Sequence, residues 1–228
     1  MTGDGTRWLV LRLQAPMMSF GAIAIDQVGP TARWPGASML TGLFGNALGW
    51  DWDDRAAHQA LQDRLRFGAV ILREGEVLTD SQNAQLGKGD KGWTTRGAPE
   101  GRTGASYDAP HRRRRDYLAD ASLRVVLTLQ PDGTPPTLDD LARALDRPAR
   151  PLFLGRKPCM PSLPLSGGFV EAPSARAALD QWQDSGRRPA MWPADDGPSG
   201  RRSMDVADTR VWSSGLHGGT RTIVEGTV

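Results

Sequence analysis

The chain has 228 residues, with 28 lysines and arginines against 26 acidic residues and a formal net charge of +2. This length allows one domain with a sizeable core and a smaller appendage. The sequence contains neither the roughly eighteen consecutive apolar residues of a membrane helix nor a signal peptide, so we expect a soluble cytoplasmic protein. Cys159 is the only cysteine, and the three histidines lack metal-ligand spacing. An internal disulfide is therefore excluded, and neither a metal site nor a cofactor is expected.

The first predicted element is a strand over residues 7–13 (RWLVLRL), which ends at Pro16. The segment that follows, residues 17–21 (MMSFG), is unusually apolar for a surface loop. Two interpretations are open at this point. Either the Phe20 ring stacks on a base while Gly21 lets a backbone approach closely, or the loop folds onto the core of the chain.

Apolar residues at three- and four-residue spacing predict a helix over residues 37–49. Ser38 is the predicted N-cap, because its hydroxyl can accept a hydrogen bond from an amide of the first turn. Arg33 and Trp34 immediately precede this helix, whose N-terminus favours anions such as phosphate. This combination of a cation, an aromatic ring and a helix N-terminus could bind a nucleic-acid backbone. The alternative is that Trp34 packs the loop and Arg33 is a solvated charge.

A second helix is expected from a cap at Asp53 or Asp54 to about residue 66, with His58 among polar neighbours on its solvated surface. A strand at residues 68–73, a tight turn and a return strand at residues 77–79 predict a β-hairpin. The apolar side of the second helix is predicted to consist of Ala57, Ala60, Leu61 and Leu65.

A basic arm is predicted at about residues 80–116, where hydrophobic periodicity is absent. Residues 87–115 hold eight lysines and arginines against three acids, which leaves 20 basic and 23 acidic residues in the rest of the chain. This asymmetry is typical of a basic RNA-binding arm on a neutral scaffold, although a run of arginines is also compatible with a solvated face. The arginines of the arm can neutralise phosphates, and its aromatic side chains can stack on bases. The candidate RNA contacts in the arm are Trp93, Tyr107, His111, Arg112, Arg113, Arg114 and Arg115.

Beyond the arm, Tyr117-Leu118 and residues 123–129 are interpreted as one long strand, and Thr137 as the cap of a helix. A short strand at residues 151–154 leads into a turn with two adjacent cations, Arg156 and Lys157. The later part of the chain is predicted to contain a helix near residues 175–182, a Pro/Gly/Arg-rich stretch at residues 186–202, and strands near residues 204–212 and 220–224.

The order of these elements is compatible with an α+β fold, a modified ferredoxin-like (RRM-like) βαββαβ sandwich from which the arm protrudes as a thumb. We expect the ferredoxin-like RNA-binding domain at residues 1–165 and a small C-terminal β-containing region at residues 166–228.

Four blocks, taken in order, resemble one known family. They are residues 9–21 (LVLRLQAPMMSFG), 30–49 (PTARWPGASMLTGLFGNALG), 115–127 (RDYLADASLRVVL) and 151–165 (PLFLGRKPCMPSLPL). Together they are similar to the CasD-type subunits of type I-E CRISPR Cascade complexes, in the repeat-associated mysterious protein superfamily. The segment after about residue 168 has little that matches.

The resemblance implies a noncatalytic subunit of an RNA-guided surveillance complex in antiviral defence. Such a subunit grips the 5′ handle of the CRISPR RNA, caps one end of the backbone filament and contacts the large subunit, so that it meets target DNA only indirectly. The backbone subunit, the large subunit and the CRISPR RNA are therefore the expected partners, with no membrane. The loop positions that match the family's motifs, and are expected to contact the handle, are Met17, Ser19, Phe20, Gly21, Arg33, Trp34, Ser38, Arg156 and Lys157. One departure is Ala37, where relatives often have a basic residue.

Two alternatives stay open. Some relatives in other CRISPR subtypes cut precursor RNA without a metal, and His111 with Lys91 or Tyr107 is the constellation that would support such chemistry here. A mobile arm is a poor place to hold catalytic geometry, so no catalytic residue is assigned. The second alternative is a stand-alone RNA-recognition module, which would need aromatic residues on the central strands of its sheet.

Overall fold

The computed structural model describes residues 5–85, 87, 91–93, 99–100, 110–182, 186–196 and 202–228, and at residues 92, 93, 99 and 100 it describes the backbone alone. The helices are α1 (Ala37–Leu48), α2 (Arg55–Arg64), α3 (Leu138–Asp146) and α4 (Ala175–Leu179), with a 3₁₀ turn at Asp180–Trp182. The strands are β1 (Thr6–Gln14), β2 (Met17–Met18), β3 (Val28–Gly29), β4 (Leu65–Arg73), β5 (Glu76–Ala84), β6 (Gly92–Trp93), β7 (Pro99–Glu100), β8 (His111–Ala119), β9 (Ser122–Leu129), β10 (Ser166–Ala172), β11 (Pro189–Pro193), β12 (Arg202–Val206), β13 (Arg210–Val211), β14 (Leu216–His217) and β15 (Arg221–Thr227). None of the described helices is long and apolar enough to cross a membrane.

Seven strands form the central sheet in the order β10-β1-β9-β4-β11-β15-β12, and every neighbouring pair is antiparallel. β1 lies between β9 and β10, so that Leu9 is opposite Leu127 on one side and Phe169 on the other. With its helices, this sheet gives the mixed α+β architecture expected from the sequence.

Alternating side chains of β1 separate two hydrophobic cores, because successive residues of a strand point to opposite faces. Leu9, Leu11 and Leu13 are buried on the face that carries α1 and α3. Trp8 and Val10 are buried on the opposite face with residues of α4. A fully buried side chain of this size contributes about 2 kcal/mol, so both faces of the sheet stabilise the fold.

Strands from the C-terminal part of the chain complete the central sheet. β10, β11, β12 and β15 all lie beyond residue 165 and are hydrogen-bonded into the same sheet as β1. The division expected at about residue 165 stays a prediction. β11 was not expected, because Pro189–Pro193 falls in a stretch that the sequence analysis assigned to irregular structure rich in proline, glycine and arginine.

A second, smaller sheet has the order β2-β8-β3, with β5 paired to β8. The β-hairpin predicted across residues 68–79 is therefore wrong: β4 belongs to the central sheet, and β5 leaves it to pair with β8. Gly75 makes the change of direction, because its φ is +74° and a Cβ there would lie 2.4 Å from the Ala119 carbonyl oxygen. The long strand predicted through residues 117–129 is also wrong. Asp120, with a φ of +55°, divides it into β8 and β9.

Helices with strong local signals were predicted correctly. α1 covers Ala37–Leu48, close to the predicted range, and ends at Gly49 in the left-handed conformation. α3 begins at the predicted cap. The Thr137 hydroxyl accepts from the Asp140 amide at 3.2 Å, and the Asp140 carboxylate accepts from the Thr137 amide at 2.9 Å. Irregular structure rather than the predicted strand occupies residues 151–154, and the Leu154 amide donates to the Cys159 carbonyl at 2.8 Å across the turn that follows.

His58 was predicted to be solvated, and this prediction is wrong. Its side chain is 5% exposed and stacks on Trp212, with 4.4 Å between ring centroids. The ring also meets the edge of Trp50 at 5.2 Å, and its Nδ1 lies 2.8 Å from the Asp54 carbonyl oxygen. The physical reason is a long-range contact: the β13–β14 ribbon packs on this side of α2.

Two glutamines of α2 bind the β13–β14 ribbon. The Gln62 side chain donates to the Arg210 carbonyl at 2.9 Å and accepts from the Arg210 amide at 3.0 Å, as a neighbouring strand would. Gln59 accepts from the Trp212 amide at 3.0 Å. α2 is thereby turned away from its predicted orientation, so that Ala60 is exposed instead of buried.

Candidate nucleic-acid interface

Four adjacent arginines, Arg112–Arg115, lie in the first half of β8. β5 pairs with β8 over its whole length, and β3 pairs with the opposite edge at Arg114 and Arg115. The sequence predicted a basic arm without regular structure here, and for these arginines that prediction is wrong. They lie in a regular strand, because β5 extends to Ala84 and supplies ladder hydrogen bonds that its sequence did not indicate.

The guanidinium groups of this strand are largely available to solvent. Arg112, Arg113 and Arg114 are exposed, and Arg115 is half-buried. Because side chains alternate along a strand, the four arginines are divided between the two faces of the ribbon. Arg113 Nη1 donates to the Asp26 carbonyl at 3.1 Å. Within the described residues, none of the four forms an ion pair with a carboxylate.

Arg156 braces the loop beside this strand. Its Nη1 donates to the Asp116 carbonyl at 2.9 Å and its Nη2 to the Gly29 carbonyl at 2.7 Å, while the guanidinium lies 5.0 Å from the Tyr117 ring centroid. A side chain at Gly29 would fall 3.0 Å from Arg156 and 3.2 Å from Arg115, so that glycine lets both cations approach. Arg156 therefore holds β3 against β8, and its neighbour Lys157 is exposed.

The Met17–Gly21 segment packs on the core and lines the same groove as Arg156. Met18 is fully buried, and the Phe20 side chain is 6% exposed, which agrees with the interpretation in which this loop folds onto the core. The Ser19 amide donates to the Leu154 carbonyl at 3.1 Å, and the following Gly21 is exposed. Contact of Met17, Ser19, Phe20 and Gly21 with RNA stays a prediction.

Arg33 and Trp34 already have partners in this chain. Arg33 Nε donates to Glu74 at 2.7 Å, and this hydrogen bond raises the pKa of the arginine. The Trp34 indole N–H donates to the Glu225 carboxylate, and the ring is half-buried. A phosphate would have to compete with Glu74 for Arg33.

The N-terminus of α1 is capped by a residue far away in the chain. Ser38 was predicted to be the N-cap, but the N-cap is Gly36, which has no side chain to provide a cap. Asp208 takes this role: its carboxylate accepts from the Ala37 amide at 3.2 Å, and its carbonyl from the Ser38 amide at 2.9 Å. Asp208 also pairs with Arg221 at 2.8 Å. The anion site expected at this helix end is therefore occupied by a carboxylate of the chain itself.

A groove of about 430 Å³ runs along α1 between the Met17–Gly21 segment and the β13–β14 ribbon. It brings together five of the predicted RNA-contacting residues, namely Ser19, Phe20, Gly21, Ser38 and Arg156. The groove also has side chains that the sequence analysis did not select: Trp52, Phe153, Arg210, Trp212 and His217. Trp52 is 72% exposed, with the Arg55 guanidinium 4.7 Å from its ring centroid. Trp52 stands between Asp51 and Asp53 just after the first helix, and a tryptophan among acidic residues is a signal that the sequence could have provided.

The catalytic constellation considered above stays a hypothesis, because one of its members lies outside the described residues. His111 is exposed at the start of β8, Lys91 is exposed, and Tyr107 lies outside the described residues. The Trp93 backbone belongs to β6, and its side chain is outside the described part. Among the residues that the structure describes, no group of three histidine, cysteine, aspartate or glutamate side chains is arranged to hold a metal ion.

Comparison with known proteins identifies the family of this chain. Residues 8–224 match the family described as CRISPR-associated protein (Cas_Cas5). The chain belongs to this Cas5 family. Over 179 residues it is 32% identical to "CRISPR system Cascade subunit CasD" of Escherichia coli (strain K12), covering 78% of each chain. The resemblance to CasD-type proteins is thereby confirmed.

Solved structures have the same fold as this Cas5 chain. A chain of a "CRISPR RNA-guided surveillance complex" superposes with a TM-score of 0.70 at 24% identity, covering 97% of this chain and 90% of that chain. A second structure, "Crystal structure of Cas protein", gives a TM-score of 0.61 at 25% identity, with 97% and 94% covered. The Cas5 match and these superpositions include the C-terminal strands, where the sequence resemblance was weakest.

Proposed function

We propose that the chain is a noncatalytic subunit of a Cascade-type CRISPR RNA-guided surveillance complex and that it binds the 5′ handle of the CRISPR RNA. Family membership and the 32% identity to a protein named as a Cascade subunit support the assignment to the complex. The single observation that supports RNA binding is the row Arg112–Arg115 on β8, whose guanidinium groups have no described carboxylate partner.

The contrast with other arginines supports this interpretation. Arg33, Arg66 and Arg150 each form an ion pair shorter than 3 Å with a carboxylate of the chain. The β8 arginines keep their charges free of such pairs in the described structure and present them on both faces of a narrow ribbon. Such a ribbon can contact several phosphates of one RNA strand, which gives affinity that depends steeply on salt.

The groove along α1 is the proposed path of the handle beyond the ribbon. Arg156 is occupied by two backbone carbonyls, so its role is to position β3 against β8 rather than to bind phosphate alone. Trp52 and Trp212 line the far end of the groove. Aromatic rings of this kind stack on unpaired bases with little sequence preference.

We further propose that the ferredoxin-like unit is formed by the four neighbouring strands β10-β1-β9-β4 with α1 and α3. In chain order these elements read β1, α1, β4, β9, α3, β10, which is the βαββαβ arrangement. In this proposal the β5–β8 ribbon and the residues between its strands form the thumb. The thumb contacts the adjacent backbone subunit, the subunit caps one end of the filament, and another surface contacts the large subunit.

RNA binding is tested by measuring the affinity for a single-stranded repeat RNA at several salt concentrations. The test variant replaces Arg112, Arg113, Arg114 and Arg115 with alanine. The control replaces four exposed arginines elsewhere with alanine, which removes the same charge: Arg7, Arg143, Arg187 and Arg202. If all four β8 arginines contact phosphates, the slope of log K against log salt should become shallower by about 2.8 in the test variant. Equal slopes in the two variants would contradict the proposal.

The noncatalytic part of the proposal is tested with the same RNA. The purified chain and its His111→Ala variant are incubated with repeat RNA in EDTA and analysed on a denaturing gel. An RNA that remains intact while it binds on a native gel is the expected result. Site-specific cleavage that disappears in the variant would make the chain a metal-independent endoribonuclease instead.

A further inference from the structure

A second groove, distinct from the one along α1, is left open between α1, α2 and α3, with a volume of about 710 Å³. Its lining is dominated by small apolar side chains. They include Ala47, Leu48, Ala57, Ala60, Leu61 and Ala144. Ala57 and Ala60 were predicted to be buried on the apolar side of α2, but Ala57 is half-buried and Ala60 exposed. The described chain therefore covers only part of this apolar surface.

The walls of the α1–α2–α3 groove are formed before any partner binds. The Thr137–Asp140 capping box fixes the start of α3, and Pro135 and Pro136 line the side next to it. Proline has a restricted φ, so this wall loses little conformational freedom on binding. A preformed groove binds its partner with a smaller ordering cost than a flexible surface.

The rim of this groove carries an excess of positive charge. The rim consists of three arginines and one aspartate: Arg64, Arg143, Arg147 and Asp140. Arg143 pairs with Asp140 at 3.2 Å. Arg64 is oriented by hydrogen bonds to the backbone carbonyls of the wall, including one of 2.7 Å to Thr134. Within the described residues, neither Arg64 nor Arg147 forms an ion pair. The Arg64 guanidinium donates to four backbone carbonyls, so it adds positive charge to the rim, while Arg147 is the rim cation that is left to bind an incoming carboxylate.

We propose that this groove binds an acidic amphipathic helix of a protein partner. Apolar residues of that helix, spaced three and four apart, would pack on the alanine-rich floor. A carboxylate of the helix would pair with Arg147, and the charge of Arg64 would attract its acidic face. RNA fits less well, because phosphates would use the rim and leave the apolar floor exposed. The inference rests on the proposed assembly of the chain into a multisubunit complex, and it adds the place and the chemistry of one protein contact.

The first test is site-specific photo-cross-linking in the assembled complex. The chain is co-expressed with the other proteins of its CRISPR system and the CRISPR RNA, with a photo-reactive amino acid in place of Ala60. A matched control places the same amino acid at Ala56, which is exposed on the same helix but does not line the groove. We expect the first position alone to give a cross-link to an acidic peptide of a partner protein with helical apolar spacing. A cross-link to RNA, a cross-link to this chain or the absence of any cross-link would overturn the inference.

The second test places a negative charge on the apolar floor or on the rim of the groove. Ala60→Glu and Arg147→Glu should each weaken binding of the cross-linked partner at least tenfold relative to Ala56→Glu, while RNA retention stays unchanged. Equal binding in all three variants would overturn the inference. If the unmodified chain assembles with RNA and partners but the photo-reactive residue at position 60 gives no cross-link to a partner protein, this inference fails alone. If the unmodified chain does not assemble at all, the proposed function fails, and the inference with it.

Discussion

Replacement of Asp208 by alanine tests whether the C-terminal region stabilises the main helix. The variant removes two interactions at once: the side-chain cap on the Ala37 amide and the ion pair with Arg221. Loss of an N-cap costs about 1 kcal/mol. The two side chains of the ion pair are 18% and 21% exposed, so breaking the pair should cost about 2 kcal/mol, between the values for surface pairs and for buried pairs. The expected loss is about 3 kcal/mol, a large fraction of a typical folding free energy.

The assay is urea unfolding followed by tryptophan fluorescence and circular dichroism, since a two-state transition gives the free energy from the midpoint and slope. Asp205→Ala is the control. Asp205 is exposed, and its carboxylate accepts only from the Thr222 hydroxyl among the described contacts, at 2.7 Å. This control should lose less than about 1 kcal/mol. Asp208→Asn, which keeps an acceptor for the Ala37 amide, should fall between the two. If Asp208→Ala and Asp205→Ala unfold at the same urea concentration with the same slope, the capping argument is wrong.

Two further predictions concern a glycine and a carboxylate. Gly155→Ala should lower the thermal midpoint of unfolding by far more than Gly168→Ala. Both glycines have a positive φ, so both substitutions strain the backbone. A Cβ at Gly155 would also lie 1.5 Å from the Ser19 carbonyl oxygen, whereas nothing lies within 4 Å of a Cβ at Gly168. Equal midpoints would show that the loop moves freely. The hydrogen bond from Arg66 lowers the pKa of Asp195. The pair therefore stabilises the folded chain fully above the ordinary carboxyl pKa of about 4. This stabilisation is lost as the pH falls through the lowered pKa of Asp195 in the folded chain. Asp195→Asn should remove this small loss of stability at low pH. If the thermal midpoint of the variant changes with pH as it does in the unmodified chain, the Arg66–Asp195 pair is not its source.

The elements predicted correctly from the sequence are those whose signals are local. α1 has its apolar residues at helical spacing, and α3 has Thr137 and Asp140 at the spacing of a capping box. Interactions between distant residues were not visible. Gln62 binds the backbone of Arg210, 148 positions away, and this contact decides which side of α2 is buried.

Prediction of the candidate site had the same limit. The density of arginines in residues 112–115 identified them from composition alone, but their strand depends on pairing with β5, whose side chains are almost all exposed and show no alternation. The groove along α1 joins residues from both ends of the chain, such as Ser19 and Trp212. A signal spread over that distance cannot be read from one sequence, because nothing local relates the two positions.

The position of β15 has a consequence for truncation of the chain. β15 is hydrogen-bonded to β11 on one side and to β12 on the other, although it follows both in the sequence. Without residues 221–227, β11 would have an unpaired edge and β12 would lose its neighbour in the sheet. Unpaired edges are templates for association with other chains. A chain cut before residue 221 is therefore expected to aggregate, although it would keep every strand of the proposed ferredoxin-like unit.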